Sequence, residues 1–240
     1  MSKLMGATVG LDHEAAKALA ATARHGLTDL VEICCTCDSA LASQVLISGG
    51  SAERYSHWNG YDLTTPVGTS ALMLACQQKP ARVYWFSPPC GPDSPMQNLN
   101  QGRFTKQGLA DHEHKKARAH RIQKNCKKVM KDILSSQPFA TIVLEQPRNC
   151  RSICQAGNFY ELLEQLHVAE TSGCFWGMRD ESTGLLMDKR WKIVTNNPSL
   201  AKAFEGTTCQ GGHVHQPIVG GVRLALLASY PRVVCKMLAR

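Results

Sequence analysis

The sequence predicts an α/β fold: a Rossmann-like core in which a mostly parallel sheet is flanked by helices. Three observations carry that prediction. Short apolar runs rich in strand formers alternate with stretches of helical spacing. Two of those runs end in loops that bear reactive side chains, the place where open α/β sheets hold their ligands. The chain has 240 residues, 43% of them hydrophobic, enough for one well-buried core and too few for two. Residues 1–240 are therefore expected to form a single domain.

Leu11 to His25 is alanine-rich with helical spacing, and Gly26 suits its end. Leu30, Val31, Ile33 and Cys34 mark a buried first strand within Leu27 to Cys35. It runs into Thr36-Cys37-Asp38-Ser39, where Asp38 or Ser39 can cap a helix from Ala40 to Ser48 that Gly49-Gly50 closes. Strand, tight turn and helix make the opening unit of a doubly wound fold, with the turn as the usual cofactor site. A short second strand is expected in the stretch that begins at Glu53, followed by a loop carrying Asp62. Thr65-Pro66-Val67-Gly68 opens a helix that continues to Gln78, with Pro66 fitted to its first turn.

Val83 to Phe86 predicts the next strand, which ends abruptly in Ser87-Pro88-Pro89-Cys90-Gly91 because proline cannot continue a ladder. Cys90 then sits on a loop at the strand's carboxyl end. It is either a small buried hydrophobe or a nucleophile on a stiff loop, with proline before it and glycine after it. Gly91 to Gly108, which holds Pro92, Pro95 and Gly102, reads as a mobile loop of the kind that covers a site. The helix beyond it places Ile122, Cys126, Val129 and Ile133 on one face and lysines on the other. Phe139 to Leu144 is another β-branched strand, and it ends in Glu145-Gln146-Pro147-Arg148, a carboxylate in the same kind of place as Cys90. A helix is expected over Asn158 to Val168, a strand over Lys189 to Thr195, and a helix over Pro231 to Leu238.

The formal charge is +8, from 27 Lys and Arg against 19 Asp and Glu. The stretch from Arg103 to Lys131, which includes Lys115, Lys116 and Arg118, carries ten basic residues against Asp111 and Glu113 and so accounts for the whole excess. Such a surface favours a polyanion, nucleic acid first; a solvated basic helix is the alternative. The chain has no run of eighteen apolar residues and no secretory signal at its start, so a soluble, intracellular protein without a membrane partner is expected, nuclear in a eukaryote. The eleven cysteines are odd in number and clustered, which suits reduced thiols or metal ligands better than a disulfide framework. Cys209, His213 and His215, with Cys174 as a fourth, can supply ligands to one structural zinc; a polar loop without metal is the competing reading.

The order of these features resembles the cytosine 5-methyltransferases, in a compact form, from about Asp29 to Leu238. Ser87-Pro88-Pro89-Cys90 with Ser94 is similar to the family's Pro-Cys nucleophile loop, and Val143-Leu144-Glu145-Gln146-Pro147 to its Glu-Asn-Val segment. Lys189-Arg190-Trp191-Lys192-Ile193 resembles the basic strand that lies against the target base, and Tyr230-Pro231 the terminal motif on the cofactor side. The resemblance implies methyl transfer from S-adenosylmethionine to carbon 5 of cytosine, in DNA more than in RNA. Cys90 would be the nucleophile, Glu145 the acid at ring nitrogen 3, and Arg190 and Lys189 would steady base and phosphate, with Lys192 and Ser94 also toward nucleic acid. It further implies a donor site at Glu32, Cys34, Thr36, Asp38, Ser39, Asp62, Ser87 and Pro88. Two departures stand out. Cysteines occupy the turn that is glycine-rich in the family, and Asn196 to Gly221 leaves a very small target-recognition region, which a zinc could stiffen. A nucleic-acid-binding module that has lost the donor, and a metal-storing or redox chain, are the alternatives.

Overall fold

In the computed structural model, residues 26–94, 97, 102–154, 157–218, 230 and 234–236 are described. Among the described residues, six strands form one sheet in the order β2-β1-β3-β4-β6-β5. They are β1 (Thr28–Ile33), β2 (Ala52–Tyr55), β3 (Ala81–Phe86), β4 (Thr141–Pro147), β5 (His167–Ser172) and β6 (Arg190–Thr195). β1 pairs in parallel with both β2 and β3, and β3 with β4; β6 runs antiparallel between β4 and β5. The α/β architecture with a mostly parallel sheet, as in a Rossmann-like fold, agrees with the sequence reading.

The α-helices that lie wholly within the described residues are α1 (Ala40–Ile47), α2 (Pro66–Gln78), α3 (Lys106–Ser136), α4 (Tyr160–Leu163) and α5 (Pro198–Ala203). Strand alternation sends Val31, Ile33, Tyr84, Phe86, Ile142 and Leu144 to one sheet face, where they pack with Leu72 of α2 and Cys126, Val129 and Ile133 of α3. The opposite face presents Leu30, Trp85, Val143 and Ile193 to Leu41 and Val45 of α1 and Ala201 of α5. Both faces are covered, which is why the central strands read as nearly continuous apolar runs.

Local chemistry explains the helix starts. Thr65 accepts the Gly68 amide at 3.0 Å ahead of Pro66, and Thr105 accepts that of Gly108 at 3.1 Å. Either cap is worth about 1 kcal/mol. Asn197 does the same for Leu200, with Pro198 in the first turn; this small helix lies in the stretch read above as a target-recognition segment. The helix expected over Asn158 to Val168 is shorter than its pattern. Only the single turn Tyr160–Leu163 is helical, and His167 and Val168 belong to β5, because pairing with β6 outweighs weak local helical preference. The helix expected over Leu11 to His25 and the Gly220-Gly221 turn lie outside the described residues. Of the helix expected over Pro231 to Leu238, Val234–Lys236 are described and are helical. Among the described residues no helix is long and apolar enough to cross a membrane.

Candidate active site and metal centre

The chain leaves β1 through α1 to reach β2 on one side, whereas β3 lies on the other. The order therefore reverses at the β1/β3 boundary, and ligands in such sheets bind outside the carboxyl ends of the strands at that point. A cleft of about 180 Å³ opens there, and both Cys90 and Glu145 line it. Glu32, Cys34, Thr36 and Ser39 form its β1 side, and Ser87, Pro88 and Lys189 also border it, together with Tyr230.

Two glutamines hold the Cys90 loop in place. The Gln146 side-chain amide donates to the Pro88 carbonyl at 2.8 Å, and Ser152 donates to the Gln146 carbonyl oxygen at 2.9 Å. Gln123, fully buried on α3, donates to the Pro89 carbonyl and to Asp93 Oδ2, each at 2.8 Å. The prolines remove ladder donors, and the freed carbonyls are met by side chains from β4 and α3. Gln123 is not among the residues that the sequence singles out. Its signal was a polar residue inside the apolar stripe of a helix, since a buried polar group needs partners.

Burial sets the electrostatics of the cleft. Desolvation raises the Glu145 pKa, opposed by Lys189 and by a hydrogen bond from the Tyr230 hydroxyl at 3.3 Å. That hydroxyl also accepts from Trp85 Nε1 and pairs with Ser87 Oγ, each at 2.9 Å. Burial, then the Glu145 carboxylate, push the Cys90 thiol up to about 12, while Lys189 works the other way. The resting thiol is therefore protonated, and a positive charge arriving in the cleft favours its ionisation.

The Glu32 pKa is also raised by burial, against hydrogen bonds from Ser39 and Ala42 and the nearby Arg54. The Ser39 hydroxyl donates to Glu32 Oε2 at 2.5 Å and the Ala42 amide donates to the same atom at 3.2 Å. Ser39 makes no side-chain cap of its own, so the carboxylate from β1 caps α1 in its place. Cys34 adopts the left-handed conformation with φ 63°, which costs a non-glycine residue on the order of 1–2 kcal/mol. Its sulfur lies 3.7 Å from that of Cys126 on α3.

The other residues singled out from the sequence sit elsewhere. Asp38 is exposed, and Asp62 accepts the Thr64 amide at 2.9 Å within its own turn. Neither is among the residues bordering the cleft. Arg190 is bound through Nε and a terminal nitrogen to Asp188 Oδ2, at 2.7 and 2.6 Å, and lines a separate cavity with Arg148, Glu170 and Cys209. Lys192 lies 3.9 Å from Glu170. β6 alternation explains the split, since Lys189, Trp191 and Ile193 share the face of Glu145 while Arg190 and Lys192 share the other. Lys115 and Arg118 are exposed on α3, and the Ser94 amide donates to Gly91. Lys116 borders a cavity beyond the Cys90 loop.

Cys174, Cys209, His213 and His215 come together, with one ligand atom from each within 4.8 Å of the others. Cys209 Sγ is 3.7 Å from His213 Nε2 and 3.5 Å from His215 Nε2. Tetrahedral zinc with ordinary bond lengths separates a sulfur and a nitrogen ligand by about 3.6 Å, and the two Cys209–histidine distances match that spacing. Gly211 and Gly212, at φ 79° and 77°, turn the chain sharply enough to return both histidines to Cys209. The cluster can hold a metal ion.

The chain thus combines a cysteine–carboxylate cleft at the switch point of a Rossmann-like α/β sheet with a Cys/His cluster at the sheet's far edge. No protein-family model matches it, and no curated protein matches it.

Proposed function

We propose that the chain methylates carbon 5 of cytosine in nucleic acid, DNA in preference to RNA, with S-adenosylmethionine as donor. The observation that carries this reading is the convergence of Cys90 and Glu145 on one cleft at the topological switch point. Cytosine carbon 5 is a weak nucleophile. Addition of the Cys90 sulfur to carbon 6 turns the ring into an enamine whose carbon 5 can accept a methyl group. Glu145, whose carboxyl takes up a proton more readily for being buried, shares that proton with ring nitrogen 3 and eases the addition. Loss of the carbon 5 proton then expels the Cys90 sulfur. The base reaches the cleft flipped out of a duplex or from a single strand.

When bound, S-adenosylmethionine supplies an electrophilic methyl group on a cationic sulfur. The fit rests on the donor set: two buried carboxyl groups, Glu32 and Glu145, border the cleft, and a cation offsets the desolvation of both. Glu32, Cys34, Thr36, Ser39, Ser87 and Pro88 would hold it. The left-handed Cys34, with its sulfur against Cys126, reverses the chain where the family uses glycine. The Cys/His cluster would take one zinc and stiffen the small segment beyond β6.

A second reading, nucleic-acid binding without turnover, is favoured by the commitment of Glu32 Oε2 to Ser39 and Ala42; calorimetry with S-adenosylmethionine separates the two. Single-turnover methyl transfer to cytosine-containing DNA and RNA tests the first. Cys90→Ala abolishes transfer and Glu145→Gln slows it by about a hundredfold or more. Transfer that survives Cys90→Ala rules the mechanism out.

A further inference from the structure

Cys34 and Cys126 are 92 residues apart in the chain, and their sulfurs lie 3.7 Å from one another. The contact joins the end of β1 to α3. Backbone hydrogen bonds fix the β1 side: the Cys34 amide donates to the Tyr55 carbonyl at 3.0 Å, and the Ser87 amide donates to that of Ile33 at 3.1 Å. Cys34 is left-handed at φ 63°, so its sulfur is held against α3 at a backbone conformation that side chains seldom adopt. Sulfurs bonded to one another stand about 2.05 Å apart, and an approach of about 1.7 Å closes this pair.

The two thiols differ in access. Cys34 is half-buried and borders the Cys90 cleft, whereas Cys126 is fully buried. Burial, then Cys34, raise the Cys126 thiol well above its ordinary value. An oxidant arriving through the cleft therefore meets Cys34 first. Cys35 is turned to another partner: its thiol donates to the Glu32 carbonyl at 3.4 Å, and burial, then Glu32, push it up to about 12. One turn before Cys126, Gln123 braces Pro89 and Asp93, with Asn158 donating to Gln123 Oε1 at 2.7 Å and His120 Nε2 2.7 Å from Asp93 Oδ1. A bond at Cys126 ties the β1 wall of the cleft to the helix turn that holds the Cys90 loop.

We propose that Cys34 and Cys126 form a redox-active dithiol, which a hydroperoxide entering the cleft oxidises to a disulfide between β1 and α3. The Cys34 sulfur attacks the peroxide, the O–O bond breaks, and an alcohol, or water from hydrogen peroxide, leaves with the thiol proton; Cys34 becomes a sulfenic acid. The Cys126 sulfur then attacks the Cys34 sulfur, the S–O bond breaks, and the hydroxyl leaves as water with the Cys126 proton. The two thiols lose two electrons and two protons, and the peroxide takes up both. The crosslink rests on the sulfur geometry; that a bound methyl donor shields Cys34 rests on the function proposed above.

The test exposes the full chain to hydrogen peroxide, blocks the remaining thiols with iodoacetamide and maps unreduced peptides by mass spectrometry. The expected product is a Cys34–Cys126 peptide pair that has lost two hydrogens and that dithiothreitol separates. Its yield falls by about tenfold or more in urea, where the fold no longer brings the two sulfurs together. In Cys126→Ala, and equally in Cys126→Ser, Cys34 stops at the sulfenic acid, and its labelling by dimedone rises about tenfold over the wild type. In Cys34→Ser, Cys126 stays a thiol. The wild-type map needs no variant, so a substitution that unfolds the chain leaves the dithiol open to test. Cys34 joined chiefly to Cys35 or Cys37, or Cys126 still reduced once Cys34 is oxidised, overturns it. S-adenosylmethionine slows the crosslink in proportion to its occupancy. A crosslink that forms as fast in its presence keeps the dithiol and counts against the donor site; a chain that binds the donor and never crosslinks does the reverse.

Discussion

Changing the charge around Cys90 tests the electrostatics of the cleft directly. The structure moves this thiol from 9.0 to about 12, so at pH 8 its thiolate fraction is about a thousandth of that of an unperturbed cysteine. A more basic thiolate is also a better nucleophile, with a Brønsted slope of about 0.4–0.5, which returns roughly 15- to 30-fold. The net expectation is attack on a small aromatic disulfide about 30- to 60-fold slower than at an ordinary thiol. Peptide-resolved mass spectrometry over a time course measures it, with the exposed Cys37 and Cys154 as references in the same chain. The rate at Cys90 rises tenfold per pH unit through pH 10. Glu145→Gln removes a charge that opposes the thiolate and speeds the reaction; Lys189→Gln removes one that favours it and slows it. Modification of Cys90 at the pace of Cys37, or the same direction of change in both variants, refutes the reasoning.

Metal analysis is expected to find one zinc per chain, absent in Cys209→Ser. At a hundredfold excess of free zinc over Kd the linkage is about 2.7 kcal/mol, so chelation lowers Tm by about 5–10 °C for a chain of this size. Gly157→Ala drives a Cβ into the Arg151 and Ser152 carbonyl oxygens; its urea midpoint falls by the equivalent of about 1–3 kcal/mol. Tyr230→Phe leaves Trp85 Nε1 and Glu145 without their shared hydroxyl, at a cost of about 2 kcal/mol in the same measurement. It also raises the Glu145 pKa further, which a shift of the single-turnover pH profile to higher pH would register.

The central strands were legible because burial on both faces makes Leu30 to Ile33, Val83 to Phe86 and Ile142 to Leu144 continuous apolar runs. Thr65-Pro66 announced α2 through its cap. β5 was not legible, because His167 to Ser172 is an edge strand with exposed and buried positions mixed, and its amino end blends into the preceding Leu-Leu-Glu-Gln-Leu pattern. α5 has a readable Asn197-Pro198 start, which the resemblance to a recognition segment masks. In the site, strand ends gave Cys90 and Glu145, and Cys/His composition gave the cluster that can hold a metal ion. The network of Gln123, Asp93, His120 and Asn158 depends on side chains meeting from separate elements, and that has no local period to read. Strand alternation also separates Arg190 from its neighbour Lys189, a division that charge composition cannot register.

The carboxylate that anchors the first turn of α1 belongs to the preceding strand, and this has a consequence for any amine-bearing small molecule in the cleft. Such a molecule must share Glu32 with the Ala42 amide or pull it away and leave that amide bare. A molecule that competes for Oε2 therefore loosens the first turn of α1 as it binds, and faster hydrogen exchange at Ala42 would report the visitor before any chemistry begins.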